Sequence, residues 1–357
     1  MKAWRDRSAE DAQEQAKAAR ERAETAAELE AAGIDLDPTP PGQHRHGGDL
    51  HPAGHAHPHQ HAEPGERPTT GIVGGGAVGT ALGVALSRAG WPVQAVASRD
   101  PARRDRFRTA VDGARAFAEA QALVEEVELI ILAVPDDAIA PLARSVRMYS
   151  GQAMIHTSGA LGAEVLEPAM AAGTQVGAFH PLVAFADTDR AVAALHGATI
   201  AIEGDDQLAS LLSEMAEAIG ATAVRLAPGS KAAYHAAAVL AAGGFVALLD
   251  AIAELGRVAG LDEAGSLAIY GPLIEGTLDN ARALGIRAAL TGPITRGDVG
   301  TLRSHLAALA THAPGVVDLY IAAARREIEL AVARGSLAPE TAAALGNALA
   351  EPLARAD

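Results

Sequence analysis

Residues Thr70 to Gly90 read TGIVGGGAVGTALGVALSRAG, and this stretch decides the fold. A short apolar strand, Gly71–Val73, runs into Gly74-Gly75-Gly76-Ala77-Val78-Gly79 and then into a helical pattern, Val78–Ala89. GxGxxG alone is a weak signal in a chain with 37 glycines. Between a strand and a helix it is the phosphate-binding turn of a Rossmann domain. Gly74 permits the tight turn, Gly76 lets the backbone approach a pyrophosphate, and Gly79 lets helix and strand pack closely. The helix N-terminus then faces the phosphates with free N–H groups.

Outward from that turn, strand-like runs recur at Val93–Ala97, Leu129–Val134, Ala153–His156, Gln175–Phe179, Thr199–Ile202 and Ala221–Leu226. Helical segments lie between the earlier ones, the βαβ rhythm of a doubly wound, mostly parallel sheet. The rhythm stops near Pro228, and Ala- and Leu-rich helical pattern follows. Breaks are expected near Gly260–Leu261, Gly271–Pro272, Thr291–Gly297 and Ala313–Gly315. The expected division is a tail over 1–68, a Rossmann domain over 69–228 and an all-helical domain over 229–354.

The second strand ends in Ala97-Ser98-Arg99-Asp100, where a site for NAD places an acid against the ribose 2′-hydroxyl. Here Ser98 and Arg99 come first. A hydroxyl and a planar guanidinium suit a 2′-phosphate, which favours NADP over NAD, with Asp100 one residue from the NAD position. Ala133, Val134 and Pro135 end the next long strand at the carboxyl edge, where adenine–ribose or nicotinamide can pack, and Asp136 is expected to cap the following helix.

Polar groups at later strand ends point to the reacting side. His156, Ser158 and Gly159 follow one strand, and His180 ends the next. Ser158 and the Gly159 N–H suit a carboxylate or carbonyl, and either histidine suits proton donation. A histidine at a strand end is more often a satisfied structural group, and Ser158 lacks the nucleophile-elbow setting. Lys231 is the only lysine after Lys2 and Lys17 in a chain that elsewhere uses arginine. An ammonium gives up a proton when desolvated, which arginine does not. Tyr234 and His235 share its helix face. Arg296, Asp298 and His305 form a last constellation, readable as a carboxylate site or as a helix-joining turn.

Bulk properties bound the function. The chain has 357 residues, 49% of them hydrophobic, no cysteine and a net charge of −15. Thiolate catalysis and cysteine–metal sites are excluded. The negative charge disfavours nucleic acid and anionic membrane, leaving small molecules as expected partners. No uninterrupted apolar run reaches the roughly 18 to 20 residues of a spanning helix, so a cytoplasmic location is expected. Trp4 to about Ala32 favours a solvated helix. The Pro-, Gly- and His-rich stretch Asp35–Pro68, with His44, His46, His51, His55, His57, His59 and His61, reads as a flexible linker; metal binding there is the competing reading.

Four segments carry a family resemblance: HTSGA at His156–Ala160, FHPL at Phe179–Leu182, KAAYHAAAV at Lys231–Val239 and LTGPITRGD at Leu290–Asp298. From Thr70 to Ala333 the chain resembles the Rossmann-like plus DUF2520 domain proteins, within the wider group of pyrroline-5-carboxylate reductase, ketopantoate reductase and 6-phosphogluconate dehydrogenase. The resemblance implies an NADP-using reductase with an all-helical, 6-phosphogluconate dehydrogenase C-terminal-like second domain that completes a homodimer. Some relatives use the deazaflavin F420 instead. Where family members carry a Ser-Asn pair, this chain has Ala242-Gly243-Gly244. The expected function is NADP-dependent reduction of a small, carboxylate-bearing carbonyl or imine, with Lys231, His235, His180 and Ser158 as catalytic candidates. A non-catalytic NADP sensor or scaffold is the alternative.

Overall fold

The computed structural model describes residues 43–46, 49–52, 67–170, 174–227 and 229–351. It divides into two compact units, Met1–Ala238 and Val239–Asp357. The first is built on an eight-stranded sheet. Its strands are β1 (Thr70–Val73), β2 (Val93–Ala97), β3 (Arg115–Phe117), β4 (Leu129–Leu132), β5 (Ala153–His156), β6 (Gln175–Pro181), β7 (Thr199–Glu203) and β8 (Thr222–Arg225). They lie in the order β8-β7-β6-β5-β4-β1-β2-β3. Every pairing is parallel except that of β6 with β7.

The sequence explains why the sheet is buried on both faces. The run Leu129-Ile130-Ile131-Leu132 has no polar member, as parallel strands covered by helices require. Its side chains alternate: Leu129 and Ile131 join one core with Ile72, Ile155 and Phe107, while Ile130 and Leu132 join the other with Val73 and Met154. That is the period-two geometry of a strand expressed as two hydrophobic layers. Helix α1 (Ala77–Arg88) buries Ala81, Leu82, Val84, Ala85 and Leu86 on the first layer. Helix α2 (Pro101–Ala110) is polar and anchored through one buried side chain, Phe107.

Two departures from the sequence reading matter for the site. Strand β3 was not anticipated; it is three residues long and not fully buried. Strand β6 runs on through His180 to Pro181, and β7 returns beside it. Ala178 pairs with His156 on one side and with Glu203 on the other. The reversal therefore brings the last residue of β7 level with the carboxyl end of β5.

Among the described residues the second unit is helical: Glu263–Leu284, Ile286–Ala289, Val299–His312, Val317–Ala333 and Pro339–Ala350 follow the helix that starts at Lys231. Leu302, Leu306, Ala324, Ala331, Leu345 and Leu349 form its core with Ile294. The expected break at Gly271–Pro272 does not occur, and the helix runs on to Leu284 with Pro272 inside it. The carbonyl that Pro272 leaves without a donor belongs to Ala268, an exposed residue that water can serve. The helix ends instead at Gly285, whose φ is +86°.

The stretch Lys231–Val258 is helical over 28 residues, with a window of mean hydropathy 2.1, 11% of it buried. By length and composition it is long and apolar enough to cross a bilayer, which corrects the expectation that no segment is. The sequence reading stopped at its scattered polar residues. A π-helical turn interrupts it at Leu240–Gly244, where the Ala-Gly-Gly departure lies. Upstream, Gln43–His46 and Asp49–Pro52 pair antiparallel with His44 opposite His51. The expected helix over 4–32 and the remaining tail histidines, 55 to 61, lie outside the described residues.

Phe107 is fully buried and is the one side chain that ties α2 to the core. Phe107→Ala is expected to lower unfolding free energy by about 3–5 kcal/mol, measured by urea denaturation; a loss below about 1 kcal/mol would show that α2 is anchored otherwise.

Candidate functional site

The glycine turn works by absence of side chains. Gly74 has φ +113°, and a Cβ there would strike the Ala133 carbonyl oxygen and lie 3.2 Å from Val134 Cγ1. A Cβ on Gly79 would strike the Gly74 oxygen and crowd Ala133 Cβ at 3.2 Å. Ala133 and Val134 are thus packed on the turn itself. Backbone bonds fix it from both flanking strands, Gly74 N donating to Ala97 O and Ala133 N to Val73 O, each at 2.8 Å. Gly76 is the N-cap of α1 and brings no side chain to its first turn, so Ala77, Val78 and Gly79 start a helix whose N–H groups no capping side chain occupies. Pro135, not Asp136, occupies the N-cap of the next helix; Asp136 and Asp137 sit in its first turn, where acids complement the helix dipole.

The end of β2 is braced around Ser98. Its N–H donates to Phe117 O of β3 at 3.0 Å, and its carbonyl accepts from the Arg104 guanidinium at 2.5 Å. Arg99 is exposed beside it. Asp100 is committed to α2: its carboxylate accepts from the N–H groups of Ala102 and Arg103 at 2.9 and 3.4 Å and pairs with Arg103 Nε at 3.3 Å. Arg103 was missed in the sequence. Its guanidinium lies 3.9 Å from the place a Gly76 Cβ would take, over the glycine turn. Its position, one turn into the helix after β2 and four residues beyond Arg99, is the signal that was available.

On the other side of the cleft edge, the turn after β5 is held by His156 and Ser158. The Ser158 N–H donates to His156 Nδ1 at 3.2 Å, so the ring proton is on Nε2, which donates to Gly162 O at 3.1 Å. His156 is fully buried. Burial, aided by the Lys231 charge, lowers its pKa to about 4. Expected as a substrate ligand, it has no ring nitrogen left to offer. Ser158 Oγ accepts from the N–H groups of Ala160 and Leu161, both at 3.1 Å, which commits its lone pairs to the turn.

His180 is different. Its Nδ1 donates to Thr157 O at 3.0 Å, leaving Nε2 unprotonated in the neutral ring. Burial lowers its pKa, with the His235 and Lys231 charges acting the same way. The His180 and His235 rings meet edge to face, 5.4 Å between centroids, on either side of Gly159. A Cβ on Gly159 would strike His235 Nδ1 and lie 2.6 Å from His180 Nε2. Both nitrogens converge on the space that the missing side chain leaves. His235 Nδ1 and the Tyr234 hydroxyl are buried without hydrogen-bond partners, an arrangement a ligand can satisfy.

Lys231 opens its helix in a buried position, 6% exposed. Its Nζ lies 3.4 Å from Glu203 Oε2, a pairing by charge that falls short of hydrogen-bond geometry, so Nζ remains without a hydrogen-bond partner. Burial lowers the lysine pKa, and Glu203 opposes that shift. The same carboxylate oxygen accepts from Ala163 N at 2.8 Å. Glu203 was not singled out in the sequence, because only the reversal of β7 brings it here. Arg296, Asp298 and His305 belong to the second unit. There Asp298 caps the Val299–His312 helix, accepting from Thr301 N and Thr301 Oγ1 at 2.9 and 2.6 Å, bonds that hold its pKa down. His305 bonds the Tyr320 hydroxyl at 2.8 Å.

Residues 58–181 match the family described as a Rossmann-like domain, and residues 198–327 match DUF2520, a domain of unknown function. No curated protein matches the chain by sequence. Among solved structures, it resembles a candidate NADP oxidoreductase from Bacteroides fragilis, with 23% identity over 73% of this chain and 98% of that one, TM-score 0.60. It also resembles a reductive aminase from Aspergillus terreus in complex with NADPH and ethyl-5-oxohexanoate, 17% identical over 80% and 93% of the two chains, TM-score 0.52. A Plasmodium falciparum pyrroline carboxylate reductase with NADP bound is 13% identical over 79% and 99%, TM-score 0.52. These likenesses establish the fold.

The His156 environment has a pH signature. The unfolded chain protonates this ring near 6.5, the folded chain near 4. Between those values the unfolded state binds more protons, so stability falls as pH drops through the window, by roughly 3 kcal/mol for this group. The lowered pKa of His180 adds in the same direction. His156→Asn, which keeps an acceptor for Ser158 N–H, is expected to show a flatter urea midpoint between pH 7 and pH 4 than the wild type. Equal slopes would show that His156 is not held neutral.

Proposed function

We propose, for a chain that joins a Rossmann-like domain to a DUF2520 domain, that it is an NADP-dependent oxidoreductase acting on a small carbonyl or imine. The observation that carries this is the pairing of an uncapped helix N-terminus behind Gly76 with the Arg103 guanidinium beside it, while Asp100, the acid nearest the ribose position, is spent on capping α2. Anions are drawn to such a place, and an arginine fork suits phosphate better than hydroxyl. Gly74, Gly75, Gly76, Ala77, Val78 and Gly79 would hold the pyrophosphate, Ser98, Arg99 and Arg103 the 2′-phosphate, and Ala133, Val134 and Pro135 the flat rings. The NADPH-bound aminase and the NADP-bound carboxylate reductase support the same cofactor. When bound, that cofactor supplies the hydride.

The protein's own contribution is proton management. Lys231 Nζ is a buried ammonium whose proton is loosened by desolvation and retained by Glu203. It is the group best suited to protonate an oxygen or nitrogen that gains charge. His180, fixed by Thr157, and His235 offer facing nitrogens for the next proton exchange, with Tyr234 beside them. Ser158 and His156 shape the turn that carries Gly159. Arg296, Asp298 and His305 are retained as substrate-side candidates.

The exposed apolar surface of the long helices supports a homodimer. Leu240, Val246, Leu273 and Ile286 are 72%, 63%, 66% and 72% exposed, a cost that a second copy removes by burying them.

Three measurements test these proposals. NADPH is expected to bind tighter than NADH. Gly76→Asp should abolish binding of both, and Arg103→Met should weaken NADPH by tenfold or more with little effect on NADH. Lys231→Met should retain NADPH binding and lose turnover of a panel of 2-oxo acids and cyclic imines. Binding without turnover in the wild type would favour a nucleotide sensor, and binding of neither nucleotide would turn the search to the deazaflavin F420. Sedimentation equilibrium should return twice the chain mass, with Val246→Asp shifting it to one; a monomeric wild type rejects the dimer.

A further inference from the structure

The histidines that precede the Rossmann domain play no part in the proposed function, yet some of them belong to paired strands. Gln43–His46 and Asp49–Pro52 run antiparallel, with His44 opposite His51 and His46 opposite Asp49. Directly paired residues lie on one face of a ladder, and so do residues two apart along a strand. His44, His46, Asp49 and His51 therefore share a face, and Gln43, Arg45, Leu50 and Pro52 share the other. Every histidine of the two strands, and their one acid, falls on the first face. Between the strands the sequence has Gly47-Gly48, the residue types that a two-residue hairpin loop calls for.

Spacing follows from the register. Opposite residues of an antiparallel pair have Cβ atoms about 4.5–5.5 Å apart, and residues two apart on a strand are separated by about 7 Å. The four positions mark a rectangle whose centre is roughly 4 Å from each corner. An imidazole followed by a metal–nitrogen bond of about 2.0–2.1 Å reaches farther than that, so the face is of a size that one ion can serve.

The donor set selects the kind of ion. Three imidazoles and one carboxylate, in a chain without cysteine, suit a divalent ion such as zinc, nickel or copper(II); magnesium and calcium take oxygen ligands. The pairing also lacks other support. The two strands form a sheet of their own, and Leu50 is the only large apolar residue in them. A lone hairpin is marginal in water. An ion bound from both strands supplies the cross-link that an apolar face supplies elsewhere.

We infer that the face bearing His44, His46, Asp49 and His51 is a binding site for one divalent ion of the zinc class. The site is independent of Lys231 and of the NADP reading.

The test is calorimetric titration of the untagged full chain with Zn²⁺ near neutral pH, after treatment with a chelator. Urea unfolding of each variant checks that the folded domains are intact. The wild type is expected to take up one Zn²⁺ in its tightest step and to give no comparable step with Mg²⁺. Exchanging two neighbours, His44→Arg with Arg45→His, keeps composition and charge but moves one histidine to the other face. That exchange should weaken the tightest step tenfold or more. Replacing the downstream histidines together, His55→Gln, His57→Gln, His59→Gln and His61→Gln, should leave it within twofold. An exchange variant that binds like the wild type would overturn the proposal, because affinity would then follow the number of histidines and not the face. Loss of the step in the downstream variant would move the site to residues 55–61, and a wild type with no saturable Zn²⁺ uptake rejects it outright.

Discussion

A buried ammonium has to be answered by a charge, and in this molecule Glu203 answers Lys231. That requirement organises more than one pair. Glu203 stands at the end of β7, the strand that reverses against β6, and its pairing with Ala178 sets it level with His156 at the end of β5. One carboxylate oxygen then holds two things at once, the Ala163 N–H of the turn after β5 and the Lys231 ammonium at the start of the long helix. Strand, turn and helix are drawn to one point by a single oxygen. Removing one partner of a buried pair leaves the other charge uncompensated, so the turn that carries Ser158 and Gly159 and the helix that carries Tyr234 and His235 are coupled through it.

Space, more than added groups, shapes the rest of the site. Gly74 and Gly79 let β1, α1 and the Ala133 carbonyl approach to distances no side chain tolerates, and that closeness leaves the first turn of α1 open. Gly159 does the same for His180 and His235, whose nitrogens occupy what would be its side-chain volume. The polar groups that fix these turns are largely consumed in doing so. His156 uses both ring nitrogens and Ser158 both lone pairs, while His180 uses one nitrogen and His235 Nδ1 none. What remains uncommitted is what can meet a ligand.

Sequence legibility follows the same line. Local signals were readable: the strand–glycine–helix transition at Thr70–Gly90, the apolar run at Leu129–Leu132 and the helix beginning at Lys231 each depend on neighbours in the chain. Signals that depend on pairing were not. Strand β3 is three residues long and carries Arg115, too short to show alternation, yet its Phe117 carbonyl holds Ser98 in place. The antiparallel return of β7 leaves no mark in its composition, so Glu203 looked like an ordinary strand end. Pro272 reads as a breaker because the sequence does not say that the carbonyl it strands faces water. His156 and His180 look alike as strand-end histidines, and only their hydrogen bonds separate a structural ring from an available one.

The division of labour between the two cationic residue types then becomes intelligible. Of 29 basic residues, three are lysines, and Lys231 alone lies beyond residue 17. After β2 stand Arg99, Arg103 and Arg104, permanently charged forks of a kind that suits phosphate and carbonyl bracing. Arg104 shows the second use on Ser98 O, and the Arg103 guanidinium, paired with Asp100, lies over Gly76. A guanidinium at position 231 would hold its charge through any environment and would have no proton to release. For an ammonium there, desolvation favours loss of the proton, and the Glu203 carboxylate beside it opposes that loss. The composition bias toward arginine is therefore broken at a buried position, by the one basic residue type of the two that can give up its charge.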